Sequence, residues 1–580
     1  MCGIIAVLNK DNGANDITNV IIEALERLEY RGYDSSGIAY LDSINKTHRI
    51  RSVGRIEKLS NEVKSYALDK KAIVGIGHTR WATHGVVSVK NAHPHKTDGI
   101  SIAHNGIIEN YKELSSQFNI NLESDTDSEV ISQLIAKFME DDLNFEESFK
   151  KTVSLLRGTY GIVAICEEEP NILIGAKKGS PLAIGYSVDQ IYIASDAIAL
   201  SSLSENVIYL QEGDIVVCKN NKYTIYDKDF KEVAREITNN IVSMKDITKC
   251  GLEDYMLKEI HEEPNVLLKT FENFENPVDI KKYKSLYLIA CGTSHYAGLL
   301  AKYWIEDISG ILVNVEIASE FRYRNPVLDK DSLYIFISQS GETIDTLCAM
   351  RNVIDRGFDT LSIVNVENSS IIRESKYKIR THAGMEIGVA STKAFISQAL
   401  TLLLLILEKN KIPTHKIAES MQSVIDMSDF FEDMAQKIRN SRTIIYMGRG
   451  TSYPISLEGA LKMKEITYVS SEGCPAGEIK HGPIALIDTD VYAVILAPHD
   501  RYYEKTISNA QEIIARNGRI LTIGSGRIQN HDSIEINNTG DIGNPFVLTT
   551  AVHMLAYYTA KSKGLDVDKP RNLAKSVTVE

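Results

Sequence analysis

Ser285-Leu286-Tyr287-Leu288-Ile289-Ala290-Cys291-Gly292-Thr293-Ser294 has a counterpart later in the chain, Arg442-Thr443-Ile444-Ile445-Tyr446-Met447-Gly448-Arg449-Gly450-Thr451-Ser452. Each is an apolar run of strand length that ends in Gly-Thr-Ser. Each continues into a helical pattern, at 296–305 and at 455–466. Further strand candidates follow at 333–337 and 361–366 in the first copy and at 491–496 and 520–523 in the second. Helical stretches such as 345–355 and 503–517 fall between them. Strand and helix alternating at this spacing predict a parallel sheet with helices on both faces. The second half of the chain therefore reads as two α/β domains of similar build, an internal repeat visible in pattern more than in letters.

Open parallel sheets hold ligands at the carboxyl ends of their strands. In the first copy those positions are rich in hydroxyls and glycine: Thr293-Ser294, then Ser338-Gln339-Ser340-Gly341-Glu342-Thr343 just ahead of a helix. Hydroxyls and backbone N–H groups at a helix N-terminus bind phosphate without needing a lysine. Ser340 or Thr343 alone could be a simple N-cap; two such loops in one domain point to a phosphate cradle. The second copy lacks this loop and carries Leu457-Glu458-Gly459-Ala460-Leu461-Lys462-Met463-Lys464-Glu465. Glu458, Lys462 and Glu465 share one helix face. They form either a solvated ion-pair stripe or a row of acid/base groups aimed at a cleft. Glu478-Ile479-Lys480-His481-Gly482-Pro483 adds a histidine in a loop. The tail 570–580 has neither period, and its composition alone predicts disorder.

The first half opens with Met1-Cys2-Gly3-Ile4-Ile5. Removal of Met1 would leave the Cys2 thiol beside a free α-amine, whose ordinary pKa of about 7.7–8.0 lets it act as base. Cys2 could equally be an incidental small residue. Gly77-His78-Thr79-Arg80-Trp81-Ala82-Thr83-His84-Gly85 follows a strand-like run at 72–76, and an arginine at a strand end can hold a carboxylate by two hydrogen bonds. His104-Asn105-Gly106 offers a side-chain amide beside a glycine N–H, a suitable donor pair for an oxyanion. Ser124-Asp125-Thr126-Asp127 opens an amphipathic run at 129–138. Read singly, Arg80 could be a surface ion pair, Asn105-Gly106 a turn and Asp127 an N-cap.

The 580 residues exceed what one core can hold and suggest about three domains. A net charge of −13 argues against a general nucleic-acid binder. Seven scattered cysteines without C-x-x-C spacing predict reduced thiols and a cytoplasmic location. Residues 1–10 have no basic lead into an apolar core, so no secretory signal is expected. The run 402–407 is too short to span a membrane. The histidines between His78 and His104 fit no tight zinc spacing, so no metal is expected there.

Met1-Cys2-Gly3-Ile4, Glu29-Tyr30-Arg31-Gly32-Tyr33-Asp34-Ser35, the Arg80 segment, Asn91-Ala92-His93-Pro94-His95 and the Asn105 segment resemble the class II glutamine amidotransferases. These are N-terminal-nucleophile enzymes that split glutamine and pass on ammonia. The resemblance implies Cys2 as nucleophile, Asn105 and Gly106 as oxyanion hole, Arg80 on the glutamine α-carboxylate and Asp127 on its α-amine. Trp81, Thr83 and His84 would lie at the glutamine site, with Trp81 on the loop that gates ammonia. The Gly-Thr-Ser copies, the 338–343 loop, Glu386-Ile387-Gly388-Val389-Ala390-Ser391-Thr392-Lys393, the Glu458 helix, the His481 loop and the tail resemble sugar isomerase (SIS) domains. As a set they resemble the glutamine–fructose-6-phosphate aminotransferase family over essentially the whole chain.

That resemblance implies an α/β multidomain fold: an N-terminal-nucleophile αββα glutaminase sandwich, then two doubly wound parallel-sheet SIS domains. The expected limits are 2–240 for the glutaminase, 241–252 for a linker, 253–430 and 431–569 for the two SIS domains, and 570–580 for a tail at the active site. It implies conversion of D-fructose 6-phosphate and L-glutamine to D-glucosamine 6-phosphate and L-glutamate, the first step of hexosamine and UDP-N-acetylglucosamine synthesis. Ammonia released at Cys2 would be channelled to the isomerase site. Glu465 would move the proton between C1 and C2, His481 would open the sugar ring and Lys575 would form an imine. Lys462 and Glu458 would complete the proton relay. Thr293, Ser294, Ser338, Gln339, Ser340, Thr343, Val389 and Ser391 would hold the sugar phosphate. No cofactor and no metal are implied. The implied assembly is a homodimer that shares the His481 loop, with no nucleic-acid or membrane partner. Relatives under nucleotide-sugar feedback have a longer junction between the halves, so the short one here implies weak feedback or none.

Two other readings compete. Amidotransferases that make asparagine or phosphoribosylamine need an S-G-G-x-D-S loop or an acidic ribose-phosphate loop, and neither is present. A sugar-phosphate sensor would not need Cys2, Glu465 and Lys575 together.

Overall fold

The computed structural model describes residues 2–10, 16–65, 72–240 and 248–578. Met1, most of the expected linker (241–247) and residues 579–580 of the tail lie outside them. The chain divides into two compact units, Met1–Ile247 with Ser576–Glu580, and Thr248–Lys575.

The first unit is built on an eight-stranded and a seven-stranded sheet. The strand Gly3–Asn9 is central in the first, antiparallel to Gln190–Ala194 on one side and Val74–Arg80 on the other. Ile4, Ala6 and Leu8 face Ala103, Val163 and Val216 of the second sheet, which gives an apolar layer between the sheets. The helix Ile17–Leu28 covers the outer face of the first sheet. Gly75 and Gly77 permit that contact, because a Cβ on either would meet Ile21 at less than 3 Å. The helices Glu129–Glu140 and Phe145–Leu155 cover the second sheet through Val130, Leu134 and Phe149. The layers are helix, sheet, sheet, helix. The apolar run 72–76 predicts a strand that stops before Gly77; the strand continues to Arg80. His78 and Thr79 are wholly buried and pair with both neighbouring strands, so their polarity hides them from a hydropathy pattern.

The second unit contains two five-stranded parallel sheets. Their strands are Ser285–Ala290, Leu312–Ile317, Ser332–Ser338, Thr360–Val364 and Tyr377–Arg380, then Thr443–Gly448, Ser470–Pro475, Val491–Ala497, Arg519–Gly524 and Asp532–Glu535. Numbered within each copy, both run in the order 2-1-3-4-5. Alternate residues enter different cores. Leu288 packs on one face and Ile289 on the other, as do Tyr446 and Met447 in the second copy. This is double winding, and its crevice lies where the strand order reverses, between the first and third strands. The expected helices at 296–305 and 455–466 are Gly292–Ser309 and Ser452–Thr467, longer at both ends. The edge strands Leu312–Ile317 and Tyr377–Arg380 escape a pattern search because they are half exposed. Among the described residues no helix is long and apolar enough to cross a membrane.

Phe546, on the helix Gly540–Ser562, is 1% exposed and stacks on Trp304 with ring centroids 5.7 Å apart. Both rings belong to the largest core of the second unit. Phe546→Ala is expected to cost about 3–5 kcal/mol there. In a Trp81→Phe background the Trp304 fluorescence transition in urea should move to lower denaturant, and an unmoved midpoint would show that the stack bears no such weight.

Candidate active sites

Cys2 leads into the central strand of the first unit. Its carbonyl accepts hydrogen bonds from Asn105 Nδ2 (2.9 Å) and Arg31 Nε (3.3 Å), and its Sγ accepts one from the Trp81 N–H (3.2 Å). Arg31 is fixed in turn by Asp196, which also accepts the Tyr30 hydroxyl. Burial pushes the Cys2 thiol up, and the Trp81 N–H and the Arg80 and Arg31 charges lower it. A thiol so placed needs a base before it attacks anything.

Cys2, Arg80, Trp81, Thr83, His84, Asn105, Gly106 and Asp127 line one cleft, with Thr578 from the end of the chain in its wall. Arg80 donates through Nη2 to the carbonyls of His84 and Gly85, which folds the 81–85 loop over it. Its Nη1 is buried and unpartnered. A buried guanidinium nitrogen left open invites a carboxylate. Asp34 accepts the Ala82 N–H (2.9 Å), and Asn91 bridges Val86 and Asp125, so the loop is anchored at both ends. Asp127 is not an N-cap. Ser128 holds that position, while Asp127 accepts the Ile108 N–H at 2.6 Å.

His78 was not singled out from the sequence. Its Nε2 lies 3.1 Å from both the His104 carbonyl and Asn105 Oδ1. Both are acceptors, so Nε2 carries the proton, and Asn105 is held with its amide nitrogen toward Cys2. Burial lowers His78 to about 3 and holds His93 and His95 well below the usual range. The stack of these rings is therefore neutral, with His78 and His93 centroids 4.2 Å apart. The signal lay in the strand: His78 and Arg80 share a face once 77–80 is read as extended.

In the second unit the loops 291–294 and 338–343 follow the first and third strands of the first sheet, at its crevice. Ser338 Oγ accepts the Gly341 N–H and bonds the Thr343 hydroxyl, both at 3.0 Å. Thr343 occupies the N-cap position of Ile344–Asp355 without a side-chain cap bond. Gly341 has φ +65°, and a Cβ there would meet Ser369 Oγ at 2.0 Å. Other expected phosphate ligands are engaged elsewhere. The Thr293 hydroxyl donates to Glu458 (3.2 Å), Ser391 donates to Glu386 (2.6 Å), and the Val389 N–H donates to the Asp568 carbonyl (3.0 Å). The second copy differs at its crevice: a Cβ on Gly450 would meet the Tyr502 ring at 2.5 Å, so that ring packs on the corresponding loop.

Glu458, Lys462 and Glu465 are not a solvated stripe. Glu458 and Lys462 are buried, and Lys462 Nζ lies 3.5 Å from Glu458 Oε1 and 2.6 Å from Glu465 Oε2. The two carboxylates outweigh burial and raise Lys462, so it stays charged. Lys575 is as closely held: Nζ donates to Glu386 Oε2 (2.5 Å) and to the Gly388 carbonyl (2.8 Å). Although burial opposes it, the Lys575 charge with the Ser391 and Thr392 bonds brings Glu386 down to about 2. Glu259, beside it, is raised to about 7 by burial and by Glu386. Sequence reading gave Glu386 and Glu259 no role; Glu386 opens the 386–393 segment quoted above, while nothing local in the sequence marks Glu259. His481 ends a short helical turn, exposed, and makes no hydrogen bond to the Glu458–Lys462–Glu465 group.

The sequence matches the SIS domain family over residues 279–408 and 437–558, and the glutamine amidotransferase domain family over 78–202. Similar proteins include the glutamine–fructose-6-phosphate aminotransferases (isomerizing) of Bartonella quintana and Bradyrhizobium diazoefficiens. Each is 41% identical, with 100% of both chains covered. The chain belongs to this aminotransferase family. A solved C-terminal domain of glucosamine-fructose-6-phosphate aminotransferase from Francisella tularensis is 37% identical, with a TM-score of 0.52. It covers 55% of this chain and 99% of its own. The αββα sandwich and the two doubly wound sheets are thus the glutaminase and SIS parts of this family's fold.

Gly106 has φ +136°, and a Cβ there would meet the Thr159 carbonyl oxygen at 2.0 Å. Gly106→Ala must displace backbone beside Asn105. A loss of about 1–3 kcal/mol is expected, with faster alkylation of Cys2 by iodoacetamide as its surroundings loosen. Wild-type melting and alkylation would mean the strand absorbs the change.

Proposed function

We propose that this chain converts D-fructose 6-phosphate and L-glutamine to D-glucosamine 6-phosphate and L-glutamate. The observation that carries the reading is the pairing, in one chain, of the Cys2 cleft with its open Arg80 nitrogen and the Glu458–Lys462–Glu465 group with Lys575. A sensor or a simple hydrolase would have use for only one of these.

In the first reaction the α-amine of a processed Cys2 takes the thiol proton, and the thiolate attacks the glutamine amide; the C–N bond then breaks as the ammonium returns that proton to the departing ammonia, and water cleaves the Cys2 thioester to glutamate. Arg80 Nη1 takes the α-carboxylate and Asp127 the α-amine. Asn105 Nδ2 and the Gly106 N–H receive the oxyanion, and for this Asn105 exchanges the Cys2 carbonyl for the substrate. Trp81, Thr83 and His84 close the loop over the glutamine. Free ammonia is largely ammonium at neutral pH, so transfer to the sugar requires a covered route; the family's activity supports one.

In the second reaction Ser294, Ser338, Gln339, Ser340 and Thr343 hold the phosphate at the crevice of the first sheet. Thr293, Val389 and Ser391 stand at its edge. Lys575 leaves Glu386, gives up its proton and condenses with the C2 carbonyl of the open ketose with loss of water; ammonia from the first reaction then adds at C2 and expels the lysine amine, leaving the C2 imine of the sugar. Glu465, 20% exposed beside a buried Lys462, moves the proton between C1 and C2. His481 opens the ring. Its exposure in its own chain supports a homodimer in which a partner's loop supplies it. The domain limits proposed are those of the sequence reading, with 253–430 carrying the phosphate and 431–569 the acid/base groups. Seven free cysteines support a cytoplasmic location.

Protein mixed with glutamine and fructose 6-phosphate in EDTA should form glutamate and glucosamine 6-phosphate in equal amounts. Cys2→Ala should abolish glutamate formation and leave proton exchange at the sugar C1 and C2 measurable. Glu465→Gln should do the reverse, with a 10²–10⁴-fold loss of exchange, on the order expected for a general base. If both variants lose both activities, or neither does, the division of labour is wrong.

Borohydride added with fructose 6-phosphate should attach the sugar to Lys575, seen as a mass increase on the peptide that contains it. Modification elsewhere, or none, removes Lys575 from the imine role.

A further inference from the structure

Three helices of the second unit meet around a row of ionisable side chains that no step above uses in full. Glu263 on Tyr255–Asn273, His553 on Gly540–Ser562 and Glu458 on Ser452–Thr467 are each 0% exposed. His553 Nδ1 lies 2.6 Å from Glu263 Oε1, and Glu263 Oε2 accepts the Thr550 hydroxyl at 2.6 Å. His553 Nε2 faces Glu458 Oε1 at 3.5 Å, an ion-pair contact rather than a hydrogen bond. The same oxygen is 3.5 Å from Lys462 Nζ, which reaches Glu465 at 2.6 Å. Glycine makes the approach possible: a Cβ on Gly459 would lie 2.8 Å from Tyr446 and 3.0 Å from Val552 Cβ, so the residues next to these, Glu458 and His553, are brought together.

The signs alternate along the row: Glu263, His553, Glu458, Lys462, Glu465. Burial opposes an imidazolium, but the two carboxylates outweigh it and raise His553 to about 9. Glu263 and Glu458 are the charged groups that act on His553 from the packed helices. The helices Thr414–Ile425 and Ser428–Ile438 add apolar side chains such as Met421 and Phe431 to the same core. At the other end Tyr296 and Glu386 face the Lys462–Glu465 pair.

We infer that the Glu263–His553 pair is a positioning element for the isomerase base: it places a positive charge behind Glu458, so that Lys462 is shared toward Glu465 and Glu465 is kept as a carboxylate. Without that cation Lys462 is the main charge answering a wholly buried Glu458, and it is drawn away from Glu465. The inference rests on the reading of Glu465 as the base.

The test is Glu263→Gln/His553→Gln, which removes both charges and keeps polar groups of similar size. The phosphate loops are untouched, so KM for fructose 6-phosphate should stay within about twofold. The value of kcat for amino-sugar formation should fall about tenfold. The acidic limb of its pH profile should move up by about half to one pH unit, as expected when a carboxylate loses part of a cationic partner. Glu263→Gln alone, a gentler change, should move the limb the same way. A folded variant with wild-type kcat and limb overturns the inference. Glu465→Gln, run alongside, separates the two readings. If it retains C1 and C2 exchange, the base reading fails; if it loses exchange while the paired variant behaves as wild type, only the positioning role fails. Stability gives an independent check. A group with a raised folded pKa stabilises fully below its ordinary value of about 6.5, and the effect is lost as pH rises through about 9. Wild-type melting temperature should therefore fall more steeply between about pH 6.5 and pH 9 than that of the paired variant; equal slopes overturn the inference.

Discussion

A charge taken out of water must be neutralised or answered, and the two candidate sites of this protein show both choices. An isolated ion in a protein interior costs several kcal/mol even after relaxation, a sizeable part of a domain's whole stability. The histidines behind Cys2 are neutralised. His78, His93 and His95 give up their protons to burial and serve as uncharged donors, acceptors and flat surfaces behind the Cys2 carbonyl. The second unit answers. Lys462 stands between two carboxylates and Lys575 against Glu386, each in direct contact. The neutral stack suits a site where charge develops only during reaction, since donors aimed beforehand need no reorganisation. The alternating row suits a site where a proton must move, since each member's charge sets the basicity of the next.

The two parallel sheets share one strand order and have diverged in what they present. The first offers backbone and hydroxyls at its crevice, in loops where Gly341 is required by both its φ and the nearness of Ser369. The second has Tyr502 packed on the equivalent loop and offers the side chains of its first helix instead. The shared strand order gives two crevices; a ring packs on the loop of the second, and the adjacent helix carries the Glu458–Lys462–Glu465 group to which the acid/base role is proposed. The departure lies in residues of ordinary type, and only their neighbours in space give them their function.

That observation bears on how much could be read in advance. Strands with both faces buried were legible, because Ser285–Ala290 and Val491–Ala497 are nearly continuous apolar runs bounded by glycine or a turn. The residues of the Cys2 cleft were legible as motifs, and the fold gathers all eight. The half-exposed edge strands were not, since their period competes with loop composition. The polar end of Val74–Arg80 was not, because His78 and Thr79 are buried through pairing rather than hydropathy. The pairings of Glu259, Glu263, Glu386 and His553 were not, because each meets its counterpart across more than a hundred residues of chain, and nothing local marks which two ends meet.

The tail is the sharpest case of order without a pattern. Its residues lack any helix or strand period, yet the chain is pinned just ahead of it, where Asp568 accepts the backbone N–H groups of Tyr255 and Met256 at 2.9 and 2.8 Å. Those are orphan donors at the start of Tyr255–Asn273, whose own N-cap residue, Asp254, makes no side-chain cap bond. A residue over three hundred positions away thus caps the helix. The Arg571 N–H donates to the Tyr468 hydroxyl at 2.7 Å, and its guanidinium lies over that ring. Lys575 then reaches Glu386 and the Gly388 carbonyl. Each anchor is polar, and those at Asp568 and Lys575 answer groups that would otherwise be buried unpaired, so order there follows from the needs of other elements. Hydropathy reads only what a segment does for itself. A segment whose order is owed to others looks disordered by that measure, and here it carries the lysine on which the proposed sugar chemistry depends.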